Sequence, residues 1–311
     1  MQALLDVVLP VFLIIGLGYG AARTNKITED AVDGVMMFAQ NFAVPMLLFR
    51  AISNIDIAQD LALPLLGSYY IGALSGFGLA YVGARQLFGR STQDSIAIGF
   101  CGMYSNSVLL GLPITERAYG ADALRANYAI IALHAPVMYT FGTILMEFAK
   151  SKGRGLGIGL ARQILLSIFR NPFVIGILLG LAVNLSGAVL PRTILLTVDM
   201  MASAALPAAL FGLGGVLVRY RPEGDAKTIA MLCGISLVAH PAVTYALAQW
   251  VFVVDQAQLR SAVITASMAP GVNAYLFANL YGSARRVVAA TVLITTALSV
   301  ITTWIWLAIL P

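Results

Sequence analysis

Charged residues cut the chain into ten uncharged windows: 7–22, 34–49, 61–84, 95–115, 126–146, 171–191, 200–218, 228–254, 261–284 and 287–311. Each window is apolar throughout. None alternates apolar and polar residues with the period of two that a barrel strand shows. A membrane-crossing helix needs about 20 mostly apolar residues, and the two windows of sixteen reach that with a few flanking positions. The pattern predicts an all-α integral membrane protein with ten transmembrane segments, numbered here by window.

Composition agrees. Of 311 residues 59% are hydrophobic and 11% charged, against about 25% charged in a soluble domain. That leaves no polar surface for a separate soluble domain. The basic residues give an orientation. Loops following odd-numbered segments hold fourteen Lys and Arg: Arg23, Lys26, Arg85, Arg90, Lys150, Lys152, Arg154, Arg162, Arg170, Arg219, Arg221, Lys227, Arg285 and Arg286. The remaining loops hold five: Arg50, Arg117, Arg125, Arg192 and Arg260. Basic loops stay cytoplasmic, so both termini are expected outside and the 147–170 loop inside. The net charge of +5 then reports topology, with no support for nucleic-acid binding. Segment 1 begins with Asp6 and lacks a basic leader, so it reads as a retained helix. Cys101 and Cys233 lie in apolar windows as packing residues, and Asn184-Leu185-Ser186 is a formal glycosylation sequon.

The two halves repeat. Pro10 and Gly18 recur as Pro172 and Gly180, and Pro45 and Phe49 as Pro207 and Phe211, all 162 positions later. Tyr81 and Phe88 match Tyr245 and Phe252 at an offset of 164; Asn106 and Leu109 match Asn273 and Leu276 at 167. Five segments per half is an odd number, so the second half enters from the opposite side. The expected organisation is two inverted five-helix repeats, 1–155 and 156–311, as in many secondary transporters. The Gly153–Gly159 stretch is the expected hinge between them.

Candidate chemistry sits where a membrane helix breaks its own rule. Segment 4 carries Gly102-Met103-Tyr104-Ser105-Asn106-Ser107, then Gly111 and Pro113; segment 9 carries Ser267-Met268-Ala269-Pro270-Gly271-Val272-Asn273. Pro removes a backbone donor and Gly adds freedom, while Ser105, Asn106 and Ser107 are good caps for a helix that restarts. Paired breaks at equivalent places are the best sequence pointer to a transporter site. Half-helix N-termini carry partial positive charge and free N–H groups, so they can hold a carboxylate although no Lys or Arg lies mid-window. The alternative is a pair of kinks whose polar residues only pack. Asn41 is a further candidate contact, and Pro45 and Pro207 a second symmetric pair, read as kinks in scaffold helices. His134 could relay a proton or bind an anion; His240, before Pro241, reads as structural. Asp199 reads as lying near the outer surface, with segment 7 starting late. There is no phosphate-binding G-x-x-x-x-G-K-[ST] run, H-E-x-x-H or paired C-x-x-C, and no catalytic set, so neither enzyme activity nor a cofactor is expected.

At Asn41–Phe49 (NFAVPMLLF), Ser105–Pro113 (SNSVLLGLP) and Ala269–Ala274 (APGVNA) the chain resembles the auxin efflux carrier family, which includes bacterial malonate and malate carriers and plant PIN-type auxin carriers. The resemblance runs along essentially the whole chain. It implies that segments 4 and 9 cross at their breaks beside the substrate, with Tyr104, Ser105, Asn106, Ser107, His134, Pro270, Gly271, Asn273 and Asn41 as candidate contacts. Pro45, Pro113, Pro207 and Pro270 would be helix breaks or hinges. It further implies a scaffold of segments 1, 2, 6 and 7, a mobile bundle of 3–5 and 8–10 working as an elevator, and a homodimer. The plant Asn-Pro-Asn pattern is replaced by Tyr104-Ser105-Asn106-Ser107, and the central loop is short, which points to the bacterial branch in an inner membrane. The expected function is secondary transport of small organic anions such as malonate or malate, with coupling to H+ or Na+ left open. Alternatives are an aromatic-carboxylate carrier, a sodium-coupled bile-acid-type symporter, and a membrane sensor without transport.

Overall fold

The computed structural model describes residues 4–56, 61–150, 162, 166 and 168–311. In chain order the helices are α1 (Leu5–Arg23), α2 (Glu29–Ser53), α3 (Leu63–Gln86), α4 (Thr92–Met103), α5 (Leu112–Tyr119), α6 (Ala121–Lys150), α7 (Pro172–Ser186), α8 (Arg192–Leu217), α9 (Ala226–Val251), α10 (Gln256–Ser267), α11 (Val272–Tyr281) and α12 (Arg285–Ile309). Seven of them, α1, α2, α3, α6, α8, α9 and α12, are long and apolar enough to cross a membrane. Segments 4 and 9 are each interrupted, into α4 with α5 and α10 with α11, and segment 6 yields only the 15-residue α7. The Gly153–Gly159 stretch and the 155/156 boundary lie outside the described residues.

Helix ends explain why uncharged windows understate helix lengths. α2 starts on Glu29 and Asp30 behind a Thr28 cap, whose Oγ1 accepts from Ala31 N at 3.2 Å. Acidic residues in a first turn complement the helix dipole, so charge belongs inside the helix there. Ser91, Asp225 and Asp255 cap α4, α9 and α10 in the same way. α8 also starts early, at Arg192, contrary to the late start expected. Asp199 therefore lies two turns inside it, about half exposed and paired with Arg50 at 3.3 Å.

Prolines are absorbed by widening the helix. Pro10, Pro45, Pro113 and Pro241 each follow a π-type turn by two residues: Leu4–Val8, Ala39–Ala43, Ser107–Gly111 and Ile235–Ala239. In the last three the residue before the proline donates to the carbonyl five positions back. The wider turn answers the clash between the proline ring and the carbonyl four residues back. Pro241 also deprives Leu237 O of its helical donor, and Trp306 Nε1 of α12 supplies one at 3.0 Å. Helix thus runs on through Pro45, Pro113 and Pro207; of the four prolines expected to break or hinge, only Pro270 lies where helix stops.

The chain packs as two compact units, each drawing on both halves of the sequence. One comprises Met1–Pro10, Ala62–Gly157 and Tyr220–Pro311; the other comprises Val11–Leu61 and Ile158–Arg219. In the second unit, helices meet backbone to backbone. A Cβ on Gly18 would lie 1.9 Å from Phe211 O, and one on Gly214 1.9 Å from Ile15 O. A Cβ on Gly180 would lie 2.7 Å from Phe49 O. The pairs 18–211 and 180–49 exchange under the 162-residue offset of the repeat. Asn184 adds a polar clasp, donating from Nδ2 to the carbonyls of Ile52, Ser53 and Ile55 at 3.2, 3.3 and 2.7 Å. That amide serves as a helix cap, which is the physical reason to set the sequon reading aside.

The first unit is built around its interrupted helices. Every residue from Ser95 to Thr115 and from Ser261 to Gly271 is buried. Longer helices surround them, with α3 along both α4 and α9 and α6 against α4 and α10.

Two stability outcomes follow. Gly214→Val should lower the melting midpoint of detergent-purified protein sharply, since overpacking costs about 1–3 kcal/mol or more. Gly16→Ala and Gly20→Ala, whose added Cβ would meet nothing within 4 Å, should hold or raise it. Equal effects at all three positions would remove the close-approach argument. Asn184→Ala should cost about 1–3 kcal/mol in the same assay, because the carbonyls of Ser53 and Ile55 lose the amide donor. A wild-type midpoint would mean that solvent already serves them.

Candidate functional site

The two interruptions lie side by side and pair through their backbones. Ser105 and Pro270 form an isolated antiparallel bridge. Asn106 N–H donates to Ala269 O at 2.9 Å, and Gly271 N–H donates to Tyr104 O at 3.3 Å. Tyr104 (φ −92°, ψ 86°), Met268 (φ −71°, ψ 141°) and Gly271 (φ −76°, ψ 167°) have left the helical region. Ser105 and Pro270 occupy the pair whose own amides point away from the partner, so the amide that proline lacks is not missed by the bridge.

Both helices restart immediately. Asn106 Oδ1 caps the first restart, accepting from Leu109 N at 3.2 Å, while its carbonyl accepts from Leu110 and Gly111 N at 3.2 and 3.1 Å. α11 starts at Gly271 without a side-chain cap. A Cβ on Gly271 would sit 3.4 Å from Asn106 Cγ, which places that side chain directly on the opposite backbone. Neither buried run contains Asp, Glu, Lys or Arg, so the local field comes from helix ends and neutral donors.

Aromatic hydroxyls tie the surrounding helices to the bridge. Tyr69 of α3 places its hydroxyl 2.7 Å from Ser105 Oγ and 3.2 Å from His134 Nδ1. His134 is 3% exposed, stands edge-on to the Tyr104 ring at 4.5 Å, and has a buried Nε2 with no partner. Asn273 Nδ2 donates to the Tyr104 hydroxyl at 3.3 Å, and Tyr139 donates to Asn273 O at 3.1 Å. Phe100 stacks between Tyr104 and Phe277, with ring centroids 5.2 and 3.9 Å away. One turn out, Asn127 of α6 donates to Thr115 and Thr265 Oγ1 at 3.3 and 2.8 Å, linking α5 to α10. His240 of α9 also neighbours Tyr69, with ring centroids 5.9 Å apart.

Of the residues expected from sequence, Tyr104, Ser105, Asn106, Ser107, His134, Pro270, Gly271 and Asn273 lie in this one unit, at or beside the bridge. Asn41 belongs to the other unit, where it sits exposed on the π-type turn Ala39–Ala43. Tyr69, Tyr139 and Asn127 were not among the expected contacts. Their only signal is a hydroxyl or amide inside an otherwise apolar window.

Comparison with known proteins agrees with this geometry. The family described as membrane transport protein matches residues 3–307. A Rhizobium meliloti protein named "Putative malonate transporter" is 27% identical over 309 residues, 97% of this chain and 94% of its own length. The Arabidopsis thaliana auxin efflux carrier component 7 is 26% identical over 153 residues, 49% of this chain and 25% of that protein. The mouse lysosomal cholesterol signaling protein is 28% identical over 235 residues, 69% of this chain and 26% of that longer protein. With the family matched from one end to the other and seven helices suited to a bilayer, the chain is a multi-pass membrane protein and belongs to the membrane transport family of the auxin efflux carriers.

Proposed function

We propose that this protein is a secondary active carrier of small organic anions, dicarboxylates of the malonate or malate kind, held at the backbone bridge and moved by an elevator-type alternation. The observation that carries the reading is the pairing of two interrupted helices inside one buried unit. It brings the starts of two half-helices, Asn106 and, through Tyr69, His134 into one buried cluster whose two interrupted runs carry no Asp, Glu, Lys or Arg. Half-helix N-termini stabilise a carboxylate without a buried cation, and interrupted backbone at membrane depth is tolerated where it is packed in protein or lines a cavity.

Other parts of the reading have their own support. Counting α4–α5, α10–α11 and the short α7 as one crossing each gives ten crossings, five per half. The exchanged contacts 18–211 and 180–49 are those an inverted pair of halves would make. The grouping of α1, α2, α7 and α8 suits a scaffold, and the grouping of α3–α6 with α9–α12 suits a moving bundle. Placement in a bacterial inner membrane, both termini outside, and a homodimeric assembly complete the proposal. Malonate is the first substrate to try, because the name of the relative from Rhizobium meliloti, matched along nearly its whole length, includes it. A sensor that binds without transport is the second reading, favoured by the similarity to the mouse signaling protein.

Counterflow in proteoliposomes separates the two. Vesicles loaded with unlabelled malonate, malate or indole-acetate should transiently accumulate the matching labelled tracer. Binding of an anion without counterflow would favour the sensor. Asn106→Ser keeps a helix cap but loses the amide donor, and should weaken binding about tenfold or more, the equivalent of one charge-assisted hydrogen bond. Tyr104→Phe, which frees Asn273, should weaken it less. Unchanged affinity in both variants would move the site away from the bridge.

A further inference from the structure

The described residues around the bridge offer an anion no Lys or Arg, yet they hold two buried imidazoles whose Nε2 atoms both lack a partner. His134 is 3% and His240 1% exposed, and both neighbour the Tyr69 ring, at 5.8 and 5.9 Å between centroids. The titratable groups around His134 are Tyr69 and Tyr70 on α3, Tyr104 at the end of α4, Tyr139 on its own helix and His240 on α9. The charged residues of α5, Glu116 and Arg117, are exposed at its far end, and α10 carries only Arg260, stacked over Tyr119. Among the described residues no carboxylate is in contact with His134 to neutralise a proton on it.

The hydrogen-bond chain through Tyr69 accommodates His134 in either charge state. In the Nε2–H tautomer of the neutral imidazole, Tyr69 O–H donates to Nδ1 and Ser105 O–H donates to Tyr69. With the imidazole protonated, Nδ1–H donates to the Tyr69 oxygen and the Tyr69 hydroxyl turns to donate to Ser105 Oγ. A hydroxyl is donor and acceptor at once, so turning the Tyr69 and Ser105 hydroxyls together converts the first arrangement into the second. Nε2 carries a hydrogen in both, and in both that hydrogen lacks an acceptor until an anion arrives. A buried imidazolium without a counter-charge is strongly disfavoured, while one hydrogen-bonded to a carboxylate is not. Anion and proton must therefore favour each other's binding, and by linkage to the same extent.

We infer that His134 is the coupling group of the carrier: it takes up one proton at Nδ1 with the substrate carboxylate at Nε2, and releases both on the other side, so that transport is proton symport. The inference rests on the carrier reading above and names its coupling ion. His240 does not add a second proton, because two imidazolium groups flanking one tyrosine would repel each other in a low-dielectric interior. The proton enters from water on the side to which the site is open and leaves to water on the other; no other group changes its bonding.

The test is malonate uptake driven by pH alone. Proteoliposomes with labelled malonate equal on both sides, the membrane potential clamped at zero by K+ and valinomycin, receive a one-unit jump that leaves the interior alkaline. Protein-free vesicles give the background. One coupled proton sets a ceiling of tenfold accumulation, and two would set a hundredfold. The wild type should accumulate malonate several-fold without passing tenfold. His134→Gln keeps an N–H donor near the Nε2 position but cannot titrate: its exchange should survive at reduced rate and its accumulation vanish. His240→Gln should accumulate as the wild type does. Wild-type exchange without pH-driven accumulation overturns the proposal without any variant. Accumulation retained in His134→Gln, lost only in His240→Gln, or exceeding tenfold does so as well. If the wild type shows no malonate exchange at all, malonate carriage fails first and this coupling fails with it.

Discussion

A backbone amide or carbonyl freed inside a bilayer finds no water, and each one left unsatisfied costs several kcal/mol. An interruption in one membrane helix is therefore a defect unless something answers it. Here two interruptions answer each other. Asn106 N–H meets Ala269 O, Gly271 N–H meets Tyr104 O, and the missing amide of Pro270 falls where the bridge does not use one. The rest of the first unit depends on this register. A shift by one residue would bring Pro270 to a position needing a donor and carry Asn106 off the restart it caps. The complete burial of Ser95–Thr115 and Ser261–Gly271 has the same cause, since surrounding helices must exclude lipid from backbone that is not helical.

The second unit solves a different problem with different residues. Apolar side chains gain little by leaving lipid for one another, so helix association has to come from close packing. Gly18, Gly180 and Gly214 let backbone lie on backbone, and Asn184 gathers the last carbonyls of α2.

Much of this could be read from the sequence because the bilayer writes strict rules. Uncharged windows located the long helices, although Glu29, Asp30, Glu147 and Arg192 extend them beyond the windows, since charge at a helix end satisfies the dipole rather than breaking the helix. The Gly-Pro-Asn content of segments 4 and 9 marked the interruptions. The prolines were harder: Pro45 and Pro270 look alike in sequence, but a π-type turn absorbs the first while only the second stands in extended backbone. Tyr69 and Tyr139 were illegible as site residues because a tyrosine in an apolar window equally fits packing. Their role lies in a hydroxyl reaching across 36 residues to Ser105 and 134 residues to Asn273, which no local pattern encodes. Asn41 shows the converse, a polar residue beside a proline that belongs to the other unit.

A carrier must also let go. A buried Arg would hold a carboxylate strongly but would stay charged when the site emptied, leaving a cation in low dielectric for the return step. Helix termini and amides avoid that, because their dipoles are fixed by the fold and bear no net charge. They supply only part of what a desolvated anion needs. An imidazole that is neutral when the site is empty and charged when it is full makes up the difference, provided its hydrogen bonds survive both states. The Tyr69 hydroxyl between Ser105 and His134 meets that condition by turning together with the hydroxyl it contacts, which is that of the bridge residue itself. The backbone pairing that makes two broken helices tolerable thus also anchors the switchable end of the chain by which the site can change its charge.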